Sequence, residues 1–194
     1  MEKHLFLTGK SGCGKSALII NALGERLGYA GGYITHGTLN SDGEIERVEL
    51  MPAPAVAGIA GYASECILSR TGNSLLHDNE VFRNTGVQLL QEAQFYPFAV
   101  LDEFGGFDII IPQFREALLN VLNSDMPCVG VLTDEFEGEG LRHALGLGEK
   151  YSAYRRALKN ALAQDKDTRI VEVRHAGDTD AAKAMAAWAA EYAV

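Results

Sequence analysis

Gly9-Lys10-Ser11-Gly12-Cys13-Gly14-Lys15-Ser16 fits the phosphate-binding pattern G-x-x-x-x-G-K-[ST] at every required position. With glycine at roughly 7% of average usage, this spacing arises by chance in well under about 1% of chains this long. Leu5-Phe6-Leu7 leads in as a buried strand, and Ala17-Leu18-Ile19-Ile20-Asn21-Ala22-Leu23 leads out with helical character. Successive backbone N–H groups wrap a polyphosphate only where no Cβ stands between them and the oxygens, hence the glycines. The expected binding residues are therefore Gly9, Lys10, Ser11, Gly12, Cys13, Gly14, Lys15, Ser16 and Ala17. Lys15 is expected to reach the β- and γ-phosphates, Ser16 to offer its hydroxyl to Mg²⁺, and the following helix to aim its positive end at the anion.

A chain of 194 residues suits one domain, 1–194, with enough length to bury a core. Lys and Arg number 17 against 26 Asp and Glu, and the net charge of −9 argues against a non-specific nucleic-acid binder. No apolar run approaches the roughly 20 residues of a membrane span, and Met1-Glu2-Lys3-His4 opens straight into a strand, so no membrane association and a cytoplasmic location are expected. Cys13, Cys66 and Cys128 are odd in number and scattered, which indicates neither a disulfide framework nor a metal site. Cys66 and Cys128 are expected to pack. Cys13, near a helix N-terminus, is either a tolerated small residue or an exposed thiol of lowered pKa.

Phe98-Ala99-Val100-Leu101-Asp102-Glu103 reads as a buried parallel strand ending in two carboxylates, where ligands bind in α/β sheets. Asp102 is the expected metal residue, usually through water, and Glu103 is expected to orient and deprotonate an attacking water. Gly31 to Thr35 and Ile45 to Leu50 read as strands joined at the turn Asn40-Ser41-Asp42-Gly43, predicting a hairpin at an antiparallel edge. Met51 to Ser74 lacks a clean period and reads as loop with short strand pieces. Helices are predicted over Asn79 to Phe95, capped by Asp78, over Pro112 to Asn123, and over Glu149 to Ala163.

Cys128 to Leu132 and Thr168 to Val173 complete the strands, and Thr133-Asp134 ends the first of them within reach of a γ-phosphate or as a simple exit. Asp134 to Gly140 reads as an acidic, glycine-broken, solvated loop. Arg155 and Arg156 are each either a finger onto transition-state charge or part of a solvated helix face. Ala181, Met185, Trp188 and Tyr192 fall at helical spacing as a core stripe. His36 and His77 are placed in loops, without a ligand partner at metal spacing.

The phosphate loop, Gly31-Gly32-Tyr33-x-Thr35, Asp102-Glu103-Phe104-Gly105 and Arg169-Ile170-Val171-Glu172-Val173 occur in one order. In this the chain resembles the small P-loop nucleoside-triphosphatase family that includes human cancer-related nucleoside triphosphatase and its archaeal and bacterial relatives. The resemblance covers about residues 3 to 133 and 168 to 175. It implies an α/β, three-layer P-loop NTPase fold with a mostly parallel, RecA-like sheet and helices on both faces. It also implies slow Mg²⁺-dependent hydrolysis of ATP, GTP and other nucleoside triphosphates. The chain departs from the family pattern at His36-Gly37-Thr38 and Gly106, and its 134–167 stretch is expected to be a helical insertion outside that pattern.

The leading expectation is thus a magnesium-dependent nucleoside triphosphatase with Lys15 and Glu103 as catalytic residues and Ser16 and Asp102 at the metal. The rivals are a P-loop kinase with a small acceptor, and a nucleotide-gated switch whose protein partner docks at 134–167. Leu132-Thr133-Asp134-Glu135 lacks the lysine of the guanine-selective signature, so broad or adenine-leaning use is expected.

Overall fold

The computed structural model describes residues 2–193. Its eight strands are β1 (His4–Thr8), β2 (Ala30–Leu39), β3 (Ile45–Pro52), β4 (Glu65–Thr71), β5 (Ser74–His77), β6 (Phe98–Phe104), β7 (Cys128–Leu132) and β8 (Thr168–Glu172). They form one sheet in the order β5-β4-β3-β2-β6-β7-β1-β8. β2, β6, β7, β1 and β8 are parallel to their neighbours in that half, while β3, β4 and β5 extend the sheet in antiparallel fashion beyond β2. The predicted hairpin is present, with Asn40 closing its turn onto Glu44. It continues into two further strands: β4 lies in the stretch expected to be loop with short strand pieces, and is one continuous strand of seven residues. There Cys66, Ile67 and Leu68 lie half-buried or buried, and pairing with β3 supplied the order that the Ala-, Gly- and Pro-rich flanks obscure.

The helices are α1 (Lys15–Leu23), α2 (79–95), α3 (Pro112–Leu122), α4 (Glu135–Ala144), α5 (Glu149–Gln164) and α6 (Thr179–Tyr192). A short turn, Ala53–Val56, lies between β3 and β4. Helix α2 opens on the predicted cap, Asp78 accepting from the Glu80 N–H at 2.9 Å, and contains a π turn over Phe82–Gly86. The acidic stretch after Asp134 is not a loop. Asp134 accepts from the Phe136 N–H at 2.9 Å, and Glu135 and Glu137 lie in the first turn, where carboxylates favour the helix dipole. These effects outweigh the two glycines.

Strand alternation sends side chains to two cores. Leu5, Leu7, Phe98, Val100, Val129 and Val131 pack with Ile19 and Leu23 of α1 and with Met185 and Trp188 of α6. Phe6, Tyr33, Leu101, Phe104 and Cys128 pack on the other face with Phe114 and Leu118 of α3 and Leu158 of α5. The stripe of Ala181, Met185 and Trp188 is buried as predicted, with Tyr192 partly so. Covering both faces this way brings the C-terminal ends of the parallel strands to one edge, where β1 and β6 are separated only by β7.

Candidate functional site

The loop after β1 turns through left-handed backbone at Gly9, Gly12 and Gly14, and Gly14 leads directly into α1. At Gly9 a Cβ would overlap the Val173 carbonyl after β8, so glycine there is also a packing requirement. Lys15 is only 5% exposed, and its Nζ donates to the carbonyls of Gly9 at 2.8 Å and Lys10 at 2.9 Å. The loop's own oxygens thus hold the ammonium over the loop. Cys13 is buried against Gly9 and belongs to the core of the α1 face, which removes the exposure a reactive thiol needs. Lys10, Ser11, Gly12 and Ala17 are exposed, and Ser16 is half-buried.

Asp102, at the end of β6, is 1% exposed. Ser16 Oγ donates to its Oδ1 at 2.9 Å, joining residues 86 apart in sequence. Thr35 donates to Oδ2 through its backbone N–H at 3.1 Å and its hydroxyl at 3.2 Å. Burial raises the Asp102 carboxyl, while the Thr35 N–H, the Ser16 and Thr35 hydroxyls and Lys15 all oppose that rise. A hydroxyl and a fixed carboxylate facing a phosphate loop fit Mg²⁺, which takes one or two protein oxygens and leaves its other positions to phosphate and water. Among the described residues no group of three or more His, Cys, Asp or Glu could hold a metal by itself.

Glu103 is the one non-glycine described residue with positive φ, at 57°. The β6–β7 register breaks there, between Leu101 and Phe104, and turns the side chain out of the sheet towards Lys15, with Nζ to Oε1 at 3.8 Å. Left-handed backbone at a side-chain-bearing residue is strained and persists only where its surroundings over-determine it. The Glu103 side chain is 41% accessible yet sits between the loop, Asp102 and α4. Loss of hydration and the neighbouring Asp102 push its carboxyl up to about 7, against the pull of Lys15; Glu137 and Asp108 add to the rise.

Asp108 gave no signal in the sequence. It is 1% exposed, accepts from the Gly105 N–H at 3.1 Å, and lines the cleft. Burial pushes it up to about 7, opposed by backbone N–H groups and then by Arg155. Arg155 is not a free finger. Its guanidinium donates to the carbonyls of Gly105 at 3.0 Å, Thr133 at 3.1 Å and Asp134 at 2.8 Å, tying α5 to the exits of β6 and β7. Gly138 lies directly against it, and a Cβ there would overlap the guanidinium. Arg156 is exposed. Thr133 is buried, and its hydroxyl donates weakly to the Glu103 carbonyl at 3.4 Å. His36 and His77 lie on β2 and β5, not in loops, and neither lines the cleft.

The phosphate loop with Lys15 and Ser16, together with Thr35, Glu103, Asp108 and Thr133, borders a cavity of about 580 Å³ running to an apolar wall of Val48, Leu68, Leu75, Phe82 and Phe107. The model of an NTPase family matches residues 4–160. The chain belongs to this NTPase family. Its activity is nucleoside-triphosphate hydrolysis. The matched span runs through α4 and most of α5. The chain is similar to the nucleoside-triphosphatase THEP1 of Thermofilum pendens, 25% identical over 154 residues, covering 76% of this chain and 83% of that protein. Its fold matches the crystal structure of THEP1 from the hyperthermophile Aquifex aeolicus with a TM-score of 0.59 at 14% identity, covering 91% of each chain. This NTPase carries no helix, among the described residues, long and apolar enough to cross a membrane.

Proposed function

We propose that the chain acts as one domain that hydrolyses the γ-phosphate of ATP, GTP and related nucleoside triphosphates with Mg²⁺. The observation that carries this reading is the buried Asp102 carboxylate bonded to the Ser16 hydroxyl, with Glu103 beside it and 3.8 Å from the Lys15 ammonium. Backbone N–H groups of Gly9 to Ala17 bind the phosphates, and Lys15 neutralises charge on the γ-phosphoryl oxygens. Ser16 and Asp102 would hold Mg²⁺, which supplies charge stabilisation at the β- and γ-oxygens. Glu103 accepts the proton of the attacking water. With a carboxyl near 7 it is a stronger base than an ordinary glutamate while remaining largely ionised above neutrality. Thr35 keeps Asp102 in one orientation, and Arg155 fixes the turn that follows Glu103. The net charge of −9 supports free nucleotide rather than nucleic acid as the partner, and a cytoplasmic setting suits such a substrate.

The test is phosphate release from ATP, GTP, CTP and UTP, with and without Mg²⁺, beside Lys15→Ala. Release that requires Mg²⁺ and disappears in the variant is the expected result; release unaffected by either change overturns the reading. The apolar wall of the cavity favours a second reading, transfer of the γ-phosphoryl to a hydroxyl on an apolar acceptor. Phosphate release at full rate without any acceptor would count against it.

A further inference from the structure

Hydrolysis leaves one contact of the phosphate loop unused. The Ser11 N–H donates to Glu137 Oε1 at 3.0 Å, across 126 residues of sequence. Ser11 lies in the run of backbone donors whose chemistry is anion capture, and the anion it holds is the protein's own carboxylate. Glu137 is also close enough to Glu103 to raise its carboxyl. Glu137 and the Lys15–Glu103 pair, which line the same cleft, thus share one end of it. That is the end where a γ-phosphate belongs.

Helix α4 is held so as to present this residue. Asp134 caps its start, Gly138 lies against the Arg155 guanidinium, and Lys159 of α5 reaches Glu135 at 2.8 Å. Glu139, two residues further on, is taken instead by Arg142 of its own helix at 2.8 Å. Of the two carboxylates, only Glu137 reaches the loop.

We propose that Glu137 is an internal stand-in for the γ-phosphate, one that a nucleoside triphosphate must displace from Ser11 and a nucleoside diphosphate need not. This rests on the reading of Gly9 to Ser16 as the triphosphate loop. A diphosphate leaves the γ end to Glu137 and keeps the Ser11 bond. A triphosphate loses that bond and brings its terminal charge up to the displaced carboxylate. Glu137 thereby weakens triphosphate binding relative to diphosphate binding, and it returns to Ser11 when phosphate departs.

The experiment measures dissociation constants by titration calorimetry for a non-hydrolysable ATP analogue and for ADP, both with Mg²⁺. The proteins compared are wild type, Glu137→Gln, Glu137→Ala and the charge-matched control Glu139→Gln. Both Glu137 variants are expected to bind the triphosphate analogue about fivefold tighter, the scale of an exposed charged contact, with ADP changed by less than about twofold. The gain shrinks as salt is raised. Equal tightening for both nucleotides, no tightening in either Glu137 variant, or the same gain in Glu139→Gln would overturn the proposal. Wild-type protein that binds neither nucleotide would overturn the loop reading itself, a separate and recognisable failure.

Discussion

On the β2–β6 side of the cleft, Asp102 is 1% exposed and both its oxygens are engaged by Ser16 and Thr35. On the α4–α5 side, Glu137 touches the loop through one exposed hydrogen bond, and Arg155 grips three backbone carbonyls. The first wall is a buried, charge-assisted network in which no member can leave without stranding another. The second is a helix pair seated on strand exits, half open to water, and its contacts are individually weak. On the function proposed above, the difference separates two tasks: a fixed place for metal and base, and an adjustable cover over the γ end of the loop.

That contrast breaks most visibly at Asp102. Asp102→Ala leaves the Ser16 hydroxyl and the Thr35 N–H without their acceptor, and turnover is expected to fall by more than about a hundredfold in a phosphate-release assay. Activity within tenfold of wild type would mean that the buried wall is not the one that matters. On the other wall, Gly138→Ala forces the Arg155 guanidinium off its carbonyls. Overpacking of this kind costs about 1–3 kcal/mol, readable as a lower urea midpoint at unchanged slope. An unchanged midpoint would show that the clamp is dispensable.

Smaller effects follow from the two raised carboxyls. Turnover in wild type is expected to climb as pH rises through about 7, because Glu103 must be ionised to accept a proton. A flat profile between pH 6 and 8 would remove Glu103 as the base. Asp108 acts on stability instead. Its folded-state value of about 7 lies above the ordinary carboxylate value, so between roughly pH 4 and 7 the native state keeps a proton that the unfolded chain has lost. Stability from this group is therefore present at low pH and lost as pH rises through that window. Asp108→Asn should flatten the decline in melting temperature, leaving the part due to Glu103.

The first wall was legible in the sequence because its residues carry local signatures: glycines at fixed spacing, an apolar run ending in Asp102-Glu103, a Gly-Gly-Tyr-x-Thr strand. The strand order was less so, since β4 takes its order from β3 rather than from its own pattern. The second wall was not legible. Glycine at 138 reads as a helix breaker, yet it is where the Arg155 guanidinium must pass, and only the packed structure brings the two together. Asp108 lies in no motif, because its role comes from burial beside Gly105. The left-handed turn at Glu103 has no sequence mark apart from Gly105, which follows it with φ of 79°.

The most direct test of the account is Glu103→Gln, an isosteric change that keeps the side chain and removes the base. Nucleotide affinity measured by calorimetry should stay within about threefold of wild type, while phosphate release under saturating MgATP should fall about 10²–10⁴-fold. Phosphate release at the wild-type rate from Glu103→Gln would contradict it.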